Sequence, residues 1–372
     1  GGAGARLPAE GRRGSVRRIW LDNLRWVIIL LVVLHHLVCF FNSAGVPMNV
    51  NAPGIPALDA IAYFCYPWFM PCMFLLAGIS ARYALEEQST GRFLAARVRK
   101  LLIPFAAGVV LLGIPLVSFA FAVKGGSVGE MIAYFPSPAI ALFFLALMGM
   151  GPQWFLLALF LVTLLLLPLR RLDRSGRFYD LCGRAGMPVL LGLWLLFWAG
   201  SQVLNATNRY LLYFVLFLAG YFLFAHDEVT QRLQRFHLPL LGASGALLVW
   251  VLARWFGKSF ADAAFVEDPV TTLFGWCMTL AAVGCARAWG DRENRLTRYI
   301  SARGFALYQF HYLVLTVCTW GVTSWLNLPA GWNYLLCLGL TLAICLGLYE
   351  LVSRVPVLGD LFALRRKGKG GR

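Results

Sequence analysis

A histidine eleven residues after an arginine, both within one apolar run, is the first arrangement in this sequence able to do chemistry. The stretch reads Leu21-Asp22-Asn23-Leu24-Arg25-Trp26, continues apolar to Leu34, and meets His35-His36. On a helix that turns 100° per residue, eleven steps return His36 to within about 20° of Arg25, and Asp22 lies about 40° from His36. Asp22, Arg25 and His36 therefore share one stripe, whereas His35 is rotated about 80° away from it. The rise from Arg25 to His36 is about 16 Å, roughly half the hydrocarbon thickness of a bilayer, so His36 is expected near mid-membrane. Ionisable groups inside membrane helices are costly and usually functional, and an imidazole that titrates near neutral pH suits a general base. The structural alternative is an Asp22–Arg25 ion pair at the interface, with the histidine simply hydrogen-bonded inside a bundle.

A second cluster runs from Gly91-Arg92-Phe93 to Arg97-Val98-Arg99-Lys100 and on to Ile103-Pro104. Arg97 and Lys100, at i and i+3, share a face where a helix enters the membrane. Two cations so placed could hold the phosphates of a nucleotide-like donor; anionic lipid contact explains them equally well. Weaker features follow. Tyr308-Gln309-Phe310-His311 lies in an apolar run, where a satisfied core histidine is as good a reading as a functional one. Trp154 follows Gln153 at the start of another run, where an interfacial tryptophan is the default. Asn205-Ala206-Thr207 fits a glycosylation sequon, and His226 and His237 flank a loop without further signal. The nine cysteines form no CxxC, and eight sit in apolar runs, which reads as packing; neither a metal site nor a disulfide framework is expected.

These residues need elements to hold them, and composition names the kind. Of 372 residues, 60% are hydrophobic and 13% charged, far from the roughly 45–50% and 25% of soluble domains. The excess falls in runs near the length that spans hydrocarbon as helix: 19–41, 58–81, 101–123, 132–150, 153–169, 187–203, 209–225, 238–256, 270–288, 304–326 and 332–352. The basic stretch Arg12 to Arg18 ahead of the first run imitates a signal peptide, but that run is too long and carries Asp22 and Arg25, so it is read as the first membrane helix.

Charge decides which runs cross. If all eleven cross, the later basic loops alternate wrongly. If 132–150, which holds Pro136, Pro138 and Gly149, is re-entrant or lies on the surface, ten spans remain and parity is restored. The segments 1–19, 82–100, 170–186, 226–237, 287–303 and 354–372 then carry 28 of the 33 lysines and arginines, against 4 in the opposite segments. By the positive-inside rule both termini are cytoplasmic. The same distribution accounts for the net charge of +16 without nucleic acid. The expected fold is all-α: a polytopic transmembrane helix bundle of about ten spans over 19–353. A basic disordered segment is expected at 1–18 and a basic cytoplasmic tail at 354–372.

On these residues the chain resembles the acyltransferase 3 family of integral membrane acyltransferases, over about 19–352. Asp22-Asn23-Leu24-Arg25 with His36 is similar to the family's first-helix signature. Phe74-Leu75-Leu76-Ala77-Gly78 resembles its second-helix motif, and Phe93 through Pro104 its basic motif, with Arg97 and Lys100 at the two basic positions. Lys100 stands where arginine is commoner, keeping the charge but losing the bidentate fork. Trp154-Phe155-Leu156-Leu157 and Leu307 through His311 are similar to later family stretches. The resemblance implies acyl transfer from acyl-coenzyme A (acyl-CoA) to hydroxyls of a cell-surface carbohydrate or lipid, with no permanently bound cofactor. Some members carry an extracytoplasmic hydrolase-like domain, which these 372 residues are not expected to contain.

The resulting expectation is a multi-pass O-acyltransferase of the plasma (inner) membrane. Arg25, Arg97 and Lys100 would bind the cytoplasmic donor, His36 would act on the acceptor hydroxyl, and Asp22 would hold Arg25. His311 and Trp154 are possible additional site residues; acyl-CoA, the acceptor and membrane lipids are the partners. The rival is a transporter or flippase using the same polar stripe, though no inverted repeat is visible. A non-catalytic assembly subunit is the third reading.

Overall fold

Long apolar runs without water to satisfy their backbone can only close their hydrogen bonds internally, so they form helices. The computed structural model describes residues 18–203 and 209–365, and among them there are helices and no strands. Among these described residues, eight helices are long and apolar enough to cross a membrane. They are α1 (Ile19–Phe40), α2 (Pro56–Glu87), α3 (Thr90–Val123), α5 (Gly151–Leu169), α8 (His237–Trp255), α9 (Pro269–Trp289), α10 (Arg295–Trp325) and α11 (Ala330–Val352). Two bent pairs bring the possible number to ten: α6, Arg177–Gly183 with Met187–Ser201, and α7, Tyr210–Phe224 with Asp227–Arg235. They turn by 105° and 98°. Their polar members sit together, Arg232 donating to the Gly183 and Ala185 carbonyls at 3.2 and 2.6 Å. Eight to ten candidate spans accord with the about ten expected from the sequence. The sequon at 205–207, nearly all of the N-terminal segment and the end of the tail lie outside the described residues.

The run at 132–150 yields only α4, Pro138–Met148, of 11 residues. At 1.5 Å per residue it reaches about 16 Å, too little to cross. Its end docks on α3 at a glycine pair, where a Cβ on Gly113 would lie 2.1 Å from the Gly149 carbonyl oxygen.

α2, α9 and α10 bury most of their surface, and α1 lies against α10, α9 and α2. α8 and α11 bury least and turn Val249, Leu335, Ile344 and Leu351 outward, as lipid-facing helices do. Lipid gives helices no hydrophobic reason to associate, so close approach matters. The tightest crossing lies between α2 and α7. A Cβ on Gly78 would sit 2.0 Å from the Phe217 carbonyl oxygen, and one on Gly220 2.1 Å from that of Leu75. This gives the Phe74-to-Gly78 stretch its physical reason. Gly78→Ala should lower stability by at least about 1–3 kcal/mol, because the obstacle is backbone that cannot rotate aside. Gly91→Ala, which meets nothing within 4 Å, is the control. Thermal unfolding of detergent-purified variants checks this, and equal melting of the two would sink it.

Sidedness has its own test. Under the charge assignment, a cysteine at exposed Ser175 should react with an impermeant reagent only from the cytoplasm, and one at exposed Lys258 only from outside. The reverse pattern at either position would overturn the orientation.

Candidate functional site

At the Ile19 end of α1 the bundle encloses a cavity of about 460 Å³. Its charged lining is Asp22 and Arg25 from α1 and Arg97 and Lys100 from α3. Arg25 donates to the Asp22 carboxylate at 2.9 Å, one turn earlier, and its other amino group reaches the Ser80 hydroxyl and, at 3.4 Å, the Leu76 carbonyl of α2. Arg97 and Lys100 have no carboxylate partner among the described residues. With Asp22 the one acid in the lining, the cavity is net positive and suited to an anion.

The local backbone has a cause in the sequence. α3 opens into a wide turn with i→i+5 bonding over Val98–Leu102. Pro104 lacks an N–H, and its ring would collide with the carbonyl four residues earlier, that of Lys100. The wide turn relieves this collision and, with more residues per turn, carries Lys100 less far round the axis than a regular helix would. Such turns recur at functional sites. A second one, Val109–Gly113, precedes Pro115 in the same way.

The other end of α1 faces a second cavity, of about 330 Å³. His35 and His36 line it, with Trp154 from α5, Tyr66 and Phe69 from α2, Arg209, Tyr213 from α7, Phe260, and Tyr308 and Tyr312 from α10. His311, fully buried beneath, joins the two histidine-bearing helices: its Nε2 is 3.1 Å from His36 Nδ1. Hydrogen-bond chemistry settles the tautomers. His311 Nδ1 lies 2.8 Å from the Tyr308 carbonyl and 3.1 Å from that of Leu307, and a carbonyl only accepts, so this nitrogen carries the proton. Neutral His311 Nε2 is then an acceptor. His36 Nδ1, between that acceptor and the Val32 carbonyl at 2.9 Å, must be a donor. The lone pair of neutral His36 is thereby placed on Nε2, which no hydrogen-bonding group among the described residues engages.

The two cavities lie end to end along α1 and α2. Along α1, Asp22, Arg25 and Ile29 line the first and Val32 and His36 the second; along α2, Ser80, Ala77 and Met73 line the first and Met70 and Phe69 the second. On both helices the change of cavity falls within one turn, about 5 Å. Phe155 closes the first cavity where its neighbour Trp154 lines the second.

The structure thus brings Asp22, Arg25, Arg97 and Lys100 together, and places His36 and Trp154 in the adjoining chamber with His311 behind. The stripe leaves His35 aside, but the cavity does not. His35 is off the Arg25 line, yet it borders the same cavity, because the chamber wraps around α1 as far as Tyr66 and Phe260, whose rings lie 5.7 and 6.1 Å from that of His35. Trp154 is no simple belt residue: its ring stacks on Tyr213 at 5.4 Å. Sequence reasoning missed Ser80, Tyr66, Tyr213 and Arg209. No group of three metal-ligating side chains exists among the described residues.

A bundle of apolar helices around a charged chamber and an adjoining histidine chamber defines a multi-pass membrane protein. The acyltransferase-domain family matches residues 18–350, nearly the whole length, and the chain belongs to this acyltransferase 3 family; it is a membrane acyltransferase. Among curated proteins and among solved structures, none matches it.

Proposed function

We propose that this chain is an O-acyltransferase of the plasma (inner) membrane. It would carry an acyl group from cytoplasmic acyl-CoA to a hydroxyl of a cell-surface carbohydrate or lipid. The observation that supports this reading best is the paired chamber. A cationic cavity and a histidine cavity share the same faces of α1 and α2 and are divided by one helical turn. A donor anchored by its phosphates on Arg25, Arg97 and Lys100 then needs to pass only its thioester end across that turn, while the acceptor stays on the other side.

The chemistry follows from the tautomer. As the acceptor oxygen attacks the thioester carbonyl, His36 Nε2 takes the hydroxyl proton. The C–S bond breaks as the tetrahedral intermediate collapses, and the same nitrogen returns the proton to the departing thiolate. His36 Nδ1–H, held by the Val32 carbonyl and His311 Nε2, keeps the ring in its orientation and receives support when the ring becomes cationic, the role an orienting partner plays in nucleophile–base pairs. Asp22 fixes the Arg25 fork. A transient acyl group on His36 is the covalent version of the same route. Purified protein given acyl-CoA and acceptor should release free coenzyme A thiol in step with acceptor acylation. Release that is absent, or that is unchanged in a His36 variant, refutes the reading.

A further inference from the structure

Arg209 is 2% exposed, one of the largest fully buried side chains in the molecule, and it has no carboxylate partner among the described residues. A buried charge without an opposite charge is expensive to keep. Its guanidinium donates to the Tyr66 carbonyl at 2.8 Å and the Pro67 carbonyl at 3.4 Å, at the break in α2, and lies over the Tyr66 and Tyr213 rings. Those bonds use two of five N–H donors. Nε is buried with no hydrogen-bond partner among the described residues. Arg209 lines the histidine cavity, and among the described residues no aspartate or glutamate does. Among the lining residues Arg209 is the one permanent cation, set in a wall of aromatic rings that includes Trp154 and Tyr308.

From this geometry we infer that the histidine cavity selects an acceptor bearing an anionic group, a carboxylate or phosphate on a sugar, which Arg209 binds while the aromatic wall packs against the ring. The inference rests on the acyl-transfer reading only in calling the bound molecule an acceptor; the anion site itself does not. The two carbonyl bonds hold the guanidinium in place beside the cavity, so its remaining N–H donors are set before the ligand arrives. A planar fork fixed in this way matches carboxylate and phosphate oxygens. The anion would orient a neighbouring hydroxyl toward His36 Nε2, which shares the chamber.

The test is calorimetric binding of three probes, methyl glucuronide, glucose 6-phosphate and methyl glucoside, to the detergent-purified full chain. It uses the Arg97→Gln/Lys100→Gln background, so that the other cationic chamber contributes little. At least one anionic probe should bind about tenfold or more tighter than the neutral glucoside, since a charge-assisted bond exceeds a neutral one by about that factor. Whichever of the two binds tighter identifies the anion. Arg209→Gln should bring the anionic probe down to the level of the glucoside and leave the glucoside unchanged. Equal binding of all three probes by the parent protein, or no binding, overturns the inference. So does an Arg209→Gln variant that loses all three alike, the result expected if Arg209 only braces α2. Should Arg209→Gln fail to fold, Arg209→Lys decides, because a point charge lacks the fork: the anionic probe should weaken severalfold, and unchanged affinity refutes the idea. Anion binding with no coenzyme A release by the wild-type protein would sink the catalytic reading and keep this one. Acyl transfer to glucoside and glucuronide with equal efficiency would do the reverse.

Discussion

His36→Ala should lower kcat for acyl transfer by about 10²–10⁴-fold, the usual contribution of a positioned general base, while the protein still inserts and elutes as a folded species. The expectation stands on one nitrogen. His36 Nε2 is left as the lone-pair site by the bonds at Nδ1 and faces no competing hydrogen-bond donor among the described residues. His35 is the demanding control because it lines the same chamber. Its Nε2 already meets Cys39 Sγ at 3.4 Å, and its ring packs against Phe69 and Tyr66 at 5.1 and 5.7 Å. His35→Ala removes packing volume and should cost stability more than turnover, less than about tenfold in kcat by comparison with loss of a base. His311→Ala should fall between the two. It removes the acceptor that helps hold the His36 Nδ1 proton and leaves the Val32 carbonyl to do so alone. Initial rates of coenzyme A release at matched amounts of folded protein separate the three. Equal losses at positions 35 and 36 would mean that tautomer and stripe have no bearing on the reaction.

The difference between those two histidines shows where the sequence was legible. Helical phase is a fixed rotation per residue, so Asp22, Arg25 and His36 could be aligned from their spacing alone, and the Asp22–Arg25 pair at i, i+3 is present. Phase could not reveal that the stripe is cut into two chambers. Met70, Met73, Trp154 and Phe155 make that division, from helices whose packing no local rule supplies. Nor could it foresee a chamber broad enough to take in His35. The failure of 132–150 to span was readable because charge parity is a global constraint on all loops together. The wide turn at Val98–Leu102 had a local signal, Pro104 four residues after Lys100, that the spacing argument for a shared face passed over. Gly78 stood inside a recognisable stretch, but its necessity comes from the Phe217 carbonyl, which lies far along the chain in α7. Arg209 was the least legible. Counted among the few cations of the outer loops, it looked like surface charge; only its burial and its place in the histidine chamber give it meaning.

Neutralising the cations of the first chamber should act on the donor and not on the acceptor. A charge-assisted bond to phosphate contributes about 1.5–3 kcal/mol, so Arg97→Ala or Lys100→Ala should raise the donor KM about 10- to 100-fold where KM tracks affinity, with the acceptor KM little changed. Both residues line the cavity and have no carboxylate partner among the described residues, so no internal ion pair competes with the donor for them. Arg25→Ala should have the largest effect of the three. It removes a cation, and it also leaves the Asp22 carboxylate in the chamber without its Arg25 partner at 2.9 Å, where its charge opposes an anionic donor. Asp22→Asn, which keeps the shape and removes the charge, should then recover part of the loss when combined with Arg25→Ala. Lys100→Arg should be tolerated, since charge is kept and a fork is gained. Arg99, exposed and outside the cavity lining, sets the baseline. If these basic residues serve only topology and lipid contact, Arg97, Arg99 and Lys100 should be interchangeable, lowering expression alike and leaving the donor KM of the surviving protein unmoved. Donor titrations at matched protein levels distinguish the two outcomes. An unchanged donor KM in Arg97→Ala and Lys100→Ala would move the donor site out of this chamber altogether.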